Sequence, residues 1–551
     1  MTSRRTFVKS LGGLGLSSSL FPILSAKDSP SLPPGDDFKA IVCVYLYGGN
    51  DAFNMLIPSD SWLYNEYADA RGGGDNADSS IAVANNHLDL PDLSVTSLTN
   101  STNPYSSHDN KSSGLKGVYD VGLDLNVNGV MPELAHLLHN QKVKIISNVG
   151  NLVEPIEKKD LEDAKKKKPV FLFSHNDQRK QIDIGRSDLV KGFGWAGQIA
   201  DNWFGTGQKE NYPFGLNFSL RVSGSRFLEG METRPYNLTT WPSSFEYMKA
   251  NDPLERGWGN DKHYNRRSMF QYLYGGSPLD VSEYNYTKKH DLDSPVAPLD
   301  LAGSPVQQSS NYLRRFYQKL GLHSLKTTDT IVEAMKSDLG VDSLGSYGEK
   351  LFSKTDVNEV GLNMNDNYGR MVSDFNAIAK MVNLAKKENY RRQIFLIKLD
   401  GFDTHGSQHS NHPPLLRELS IGLHHFNLAL GELGLADQVV TYTTSDFGRT
   451  VSNNGKGTDH GWGSHQLVMG GGINQSEVVG KLPSLALGGD DDQKTQGRII
   501  PTIANIQVQA ELAHWFGVDK PLLSKIFPHL SNFQNDGDDL TSAFVNLGLK
   551  S

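Results

Sequence analysis

Five carboxylate and imidazole groups in the C-terminal third of the chain, Asp403, His405, Asp446, His460 and His465, stand at or just after short apolar runs. The run Ile394 to Leu399 breaks at Asp400-Gly401-Phe402-Asp403-Thr404-His405. The run Gln438 to Thr444 breaks at Ser445-Asp446-Phe447-Gly448-Arg449, and a glycine-rich segment, Gly457 to His465, follows it. Mixed Asp and His side chains suit Zn²⁺ or Mn²⁺, and the harder Mg²⁺ or Ca²⁺ where carboxylates dominate. Asp403 and His405 are two residues apart, so on an extended segment they share a face. Asp459 and His460 are adjacent, so only one can point inward there. His460 is the expected ligand, with Asp459 as its orienting partner or as a cap. Arg449, close to Asp446, is expected to clamp an anionic substrate through two hydrogen bonds. His409 and His412 fall in a polar loop and are expected to be solvated.

Two further segments carry chemistry. Phe38 to Tyr47 is nearly continuous in apolar character and ends in Gly48-Gly49-Asn50-Asp51, which places Asp51 at the end of a first strand. Val170 to Phe173 is a strand-like run that delivers Ser174-His175-Asn176-Asp177. Ser174 is either a nucleophile at a helix N-terminus or an N-cap followed by an acidic first turn.

The elements that position these residues alternate between helix and strand. Strands are expected at 39–47, 143–148, 170–173, 394–399, 438–444 and 466–469. Helices are expected over Met131 to Asn140, Tyr368 to Lys387, Leu415 to Leu433 and Ile503 to Phe516. Glu154 to Lys168 carries acid–base pairs four residues apart and reads as a solvated helix. This alternation predicts an α/β domain over 37–551 with a mainly parallel sheet. In such sheets ligands lie beyond the carboxyl ends of the strands. Segments 59–115 and 205–310 read as insertions; the second, rich in aromatics and glycine, could cap the crevice.

The chain has 551 residues and a formal net charge of −8. That balance argues against nucleic acid as a partner. The single cysteine, Cys43, lies in an apolar run and reads as core. Ser3-Arg4-Arg5-Thr6-Phe7, a short glycine-rich apolar stretch and Leu24-Ser25-Ala26 read as a twin-arginine export signal over 1–26, and 27–36 as a linker. The expected location is the bacterial periplasm or exterior. The twin-arginine translocase is the partner in transit, and no membrane anchor remains after processing.

In order, Gly48 to Asp51, Ser174-His175, Gly401 to His405, Ser445 to Arg449 and Gly457 to Gly461 resemble the segments of a bacterial family known as domain of unknown function 1501. That family is grouped with the alkaline phosphatase and sulfatase superfamily. The resemblance implies a doubly wound sheet sandwiched by helices, with metals held by Asp and His at strand ends and a Ser, Thr or Cys nucleophile. Carried over, Asp51, Asp403, His405, Asp446, His460 and His465 are metal ligands and Ser174 is the nucleophile. Where the superfamily commonly has Asp-His this chain has Asp446-Phe447, and His175 becomes a substitute ligand or base. The implied activity is metal-dependent hydrolysis of phosphate or sulfate esters. The alternative is a non-catalytic protein that binds a glycan or other ligand at a degenerate site.

Overall fold

The computed structural model describes residues 37–72, 80–90, 117–204, 217–220, 225–238 and 370–550. The expected export signal, the expected linker and most of the two expected insertions lie outside the described residues.

Strand β1 (Lys39–Tyr47) is the centre of the molecule. Its β-branched, apolar sequence is what a strand buried on both faces requires. Alternate side chains go to opposite sides of the sheet. Ala40, Val42, Val44 and Leu46 join one core, and Ile41, Cys43, Tyr45 and Tyr47 the other. Strands β8 (Arg392–Asp400) and β9 (Val439–Ser445) flank β1, both parallel to it. Beyond β8 lie β6 (Asn217–Leu220) and β7 (Tyr236–Leu238), also parallel. Beyond β9 the direction reverses. β10 (Ser464–Gly470) runs antiparallel to β9 and to β5 (Val143–Gly150), and the short β11 (Val478–Val479) and β12 (Ile503–Ala504) pair with β5 in parallel. The result is a nine-stranded, mixed but mostly parallel sheet. A separate antiparallel sheet joins β2 (Leu56–Pro58), β4 (Leu125–Asn128) and β3 (Val118–Tyr119).

Helices cover both faces. On the Val42 side, α2 (Pro132–His139), α5 (Arg370–Lys387) and α6 (Gln408–Glu432) contribute Leu134, Phe375, Ile378, Leu419 and Phe426 to the core. On the Cys43 side, α4 (Trp195–Phe204), α7 (Asn505–Trp515) and α8 (Lys520–Ile526) contribute Trp195, Ile199, Leu512 and Leu523. The chain is therefore a three-layer α/β structure.

Several expectations fail. Val170 to Phe173 forms a turn, with Phe171 and Phe173 at φ of 52° and 69°. The next helix, α3 (His175–Ile184), supplies the partners that a neighbouring strand would have offered. Gln178 Nε2 and Gln181 Nε2 donate to Val170 O, and Gln178 Nε2 also reaches Phe171 O. Glu154 to Lys168 contains only a 3₁₀ turn at Lys158–Asp160, because exposed charge pairs worth a few tenths of a kcal/mol cannot hold a helix with no apolar stripe. The expected insertion 59–115 contains α1 (Ser61–Ala70), capped by the Asp60 carboxylate. Within 205–310, the described pieces 217–220 and 236–238 are strands of the main sheet.

Candidate metal centre

The parallel strands deliver their carboxyl ends to one crevice. Gly48, at the end of β1, has φ of 114°, and a Cβ there would stand 2.3 Å from Asp403 N. Only a glycine lets the two strand ends approach so closely. Phe402 N donates to Tyr47 O, which carries the β1–β8 pairing one step further and fixes the backbone before Asp403. Past β9, Gly448 N donates to Trp462 O and Gly461 N to Gly448 O, so Arg449 and His460 face each other across a small antiparallel bridge. His175 enters from the opposite side, in the first turn of α3.

Three imidazoles and one carboxylate meet there. His460 Nε2 lies 3.0 Å from His175 Nε2 and 2.8 Å from His405 Nε2. Asp403 Oδ1 is 3.5 Å from His175 Nε2, 3.3 Å from His405 Nε2 and 3.7 Å from His460 Nε2. The donor atoms of His175, Asp403 and His460 all lie within 4.8 Å of one another.

The outward-facing nitrogens settle the tautomers. His460 Nδ1 is 2.8 Å from Phe173 O, and a carbonyl only accepts, so Nδ1 carries the proton. His175 Nδ1–H donates to Asp446 Oδ2 at 2.8 Å, and His405 Nδ1–H to Asp459 Oδ1 at 2.9 Å. Burial lowers the His460 pKa and the neighbouring His175, Arg449 and His405 lower it further, so this ring is neutral at pH 7. The three Nε2 atoms converge on one another and on Asp403 Oδ1, which also accepts from Arg449 Nη1 at 3.0 Å. Burial pushes Asp403 up, but Arg449, His175 and His405 outweigh it and leave its carboxyl below the ordinary value, hence ionised. Imidazoles grouped with a carboxylate are a donor set that fits Zn²⁺ or Mn²⁺.

Of the residues singled out in the sequence, His175, Asp403, His405 and His460 meet at this point. Asp446 lies behind His175 as its hydrogen-bond partner and also accepts from Gly48 N at 3.2 Å. The others stand apart. Asp51 is wholly buried and bound to both terminal nitrogens of Arg71, with Gln408 Nε2 on the same carboxylate. His465 lies inside β10 and not beyond a strand end; it is buried, accepts at Nδ1 from Asn148 N, and burial takes its pKa down to about 4. Arg449 has no exposed side-chain surface and donates from Nη1 to Asp403 Oδ1 at 3.0 Å and from Nε to Thr458 Oγ1 at 3.3 Å. It therefore orients Asp403, and its Nη2, which has no partner, is buried. Ser174 is the N-cap residue of α3, but its hydroxyl makes no cap bond and donates instead to Asp177 Oδ2 at 2.8 Å. His412, expected in solvent, is buried in α6 against Asn50 Oδ1. Phe447, in the place of an expected histidine, sets its ring 4.6 Å from His175 and 4.7 Å from His460.

Sequence reasoning missed Arg71, Gln408 and Arg498, which lie far along the chain from the residues they contact. Arg498 donates from Nε to His460 O, and its guanidinium lies over the Phe173 ring. A cue was present for it in the acidic, glycine-flanked segment Gly488 to Gly497, a composition that forms tight turns.

Residues 299–506 match the family model described as protein of unknown function (DUF1501). Asp403, His405, Asp446, Arg449, His460 and Arg498 lie inside the matched segment, whereas Asp51, Ser174 and His175 lie outside it. No curated protein and no solved structure matches the chain.

Proposed function

We propose that His175, Asp403, His405 and His460 hold one divalent cation, zinc or manganese, and that the protein is a metal-dependent hydrolase of phosphate or sulfate esters. The observation that carries this reading is the orientation of the imidazoles, each of which turns Nδ1–H outward to an oxygen and Nε2 inward. A cation so held supplies Lewis acidity, polarising an ester oxygen and acidifying water near neutral pH. The chain's own residues do the rest. Asp446, Asp459 and Phe173 O fix the three rings, and Arg449 fixes Asp403. Phe447 excludes water from the inner side of the His175–His460 pair. Asp403 and His405 are about half exposed, so a substrate reaches the centre from their side.

Arg71 answers the charge of Asp51, which favours a single-cation centre over a pair. In this reading the attacking group is water, because Ser174 directs its hydroxyl to Asp177. The test is metal analysis of the purified protein together with turnover of aryl phosphates and aryl sulfates. One equivalent of zinc or manganese is expected, lost in His460→Ala, with hydrolysis that survives Ser174→Ala. Protein that retains no cation after reconstitution sinks the reading. Loss of all turnover in Ser174→Ala transfers the attack to that serine. Bound cation without turnover of either ester leaves a ligand-binding protein.

A further inference from the structure

We infer that Arg498 takes the anionic group of the substrate, an inference that rests on the metal reading above. A guanidinium that receives an incoming oxyanion needs a fixed head and unused N–H groups. Arg449, the residue first expected in this role, is wholly enclosed, its unpartnered Nη2 included.

Arg498 has both the fixed head and the unused N–H groups. Its backbone is held by Asp492, whose carboxylate is wholly buried. Oδ1 accepts from the N–H groups of Lys494 (3.2 Å) and Arg498 (3.0 Å), and Oδ2 from those of Gly488 (2.9 Å) and Gly497 (2.8 Å). Asp492 also pairs with Ile499 in an antiparallel bridge, and Gly463 N donates to Ile499 O, which ties this loop to the segment carrying His460. The side chain is fixed by two contacts. Nε–H donates to His460 O at 3.1 Å, and the guanidinium carbon stands 4.3 Å from the centroid of the Phe173 ring. Both contacts are with residues of the centre, since His460 is a ligand and Phe173 O orients its imidazole. With Nε and one face engaged, the two Nη groups keep their donors, and among the described residues no carboxylate pairs with them. The residue is half-buried and so reachable from solvent.

Charge points the same way. Asp403, Asp446 and Asp459 surround the imidazoles, and among the described residues Arg449 is the only other ion among their bonded partners, a net charge of −2. A divalent cation cancels that charge. Arg498 is then the excess positive group beside the centre, and its planar fork matches two oxygens of a phosphate or sulfate group.

The test uses the full chain loaded with zinc and desalted, with inorganic phosphate and sulfate as probes in titration calorimetry. Arg498→Gln should keep one equivalent of zinc and bind phosphate at least tenfold more weakly, and Arg498→Lys should recover part of the loss. Undiminished phosphate affinity in zinc-bearing Arg498→Gln overturns the inference and leaves the metal reading intact. So does a zinc-loaded wild type that binds neither anion. A wild type that retains no zinc overturns both. If Arg498→Gln loses its metal, the wild type decides: phosphate should slow phenylglyoxal modification of Arg498 at least tenfold, and modification unaffected by saturating phosphate and sulfate overturns the inference.

Discussion

Asp51 and Arg71 are joined by two hydrogen bonds, Nη1 to Oδ2 at 2.5 Å and Nη2 to Oδ1 at 2.8 Å, with both side chains fully buried. Burial alone would raise the Asp51 pKa, but Arg71, with His412 and Gln408, leaves it below the ordinary carboxylate value. Removing one partner strands a buried charge. Arg71→Met is expected to destabilise the protein by about 3–5 kcal/mol. Asp51→Asn with Arg71→Met should restore part of that loss. Urea unfolding of wild type and the two variants measures both, and an Arg71→Met variant as stable as wild type would show the pair to be energetically idle.

Asp446 fixes the His175 tautomer. Asp446→Asn keeps the volume but replaces a strong acceptor with a group that can offer N–H to Nδ1. The expected result is roughly 10–100-fold weaker metal binding with little change in fold. Competition with a chelator of known affinity gives the number; equal affinities would remove Asp446 from the orienting role.

Gly48→Ala attacks the site through the backbone. The added methyl would meet Asp403 N at 2.3 Å, at a φ that side chains rarely adopt. A loss of about 1–3 kcal/mol from strain is expected, together with reduced metal stoichiometry as Asp403 is pushed aside. Denaturation and metal analysis on the same preparation separate the two effects.

Legibility in the sequence varied by element, for physical reasons. β1, β8 and β9 were readable because strands buried on both faces must be nearly continuous in apolar and β-branched residues. Their ends were readable because glycine followed by Asp or His interrupts such runs. His465 was misplaced because its strand begins at Ser464, before the apolar residues that announced it, so the ring lies within the ladder. The turn at Val170 to Phe173 was read as a strand because four apolar residues have no period that separates the two. The identity of Arg71 as the partner of Asp51, and of Asp459 as that of His405, depends on how distant segments pack, which no local pattern encodes.

Asp183, on the same helix as His175, gives a pH signature away from the ligands. Burial raises its pKa to about 7, against the lowering bonds from Arg226 N and Ser225 Oγ. The folded chain therefore keeps this proton to higher pH than the unfolded chain, whose value is near 3.8. The stability from this group is fully present below about pH 4, declines as pH rises and is gone above about pH 7. Relative to Asp183→Asn, the wild type should lose up to about 4 kcal/mol between those limits. Urea midpoints at pH 4, 5.5 and 7.5 test this, and a difference that does not change with pH rejects it.

The place of β1 at the middle of the sheet has a consequence for biosynthesis. Its neighbours are β8, in which Asp400 pairs with Tyr47, and β9, in which Val439 pairs with Ala40. About 350 further residues must leave the ribosome after β1 before its first edge can be closed. At about 5–20 residues per second that is on the order of 20–70 s. Throughout that interval this largely apolar nine-residue strand carries two open edges, the form in which strands recruit one another between chains. Truncations that end before residue 400 should aggregate more readily than the full chain.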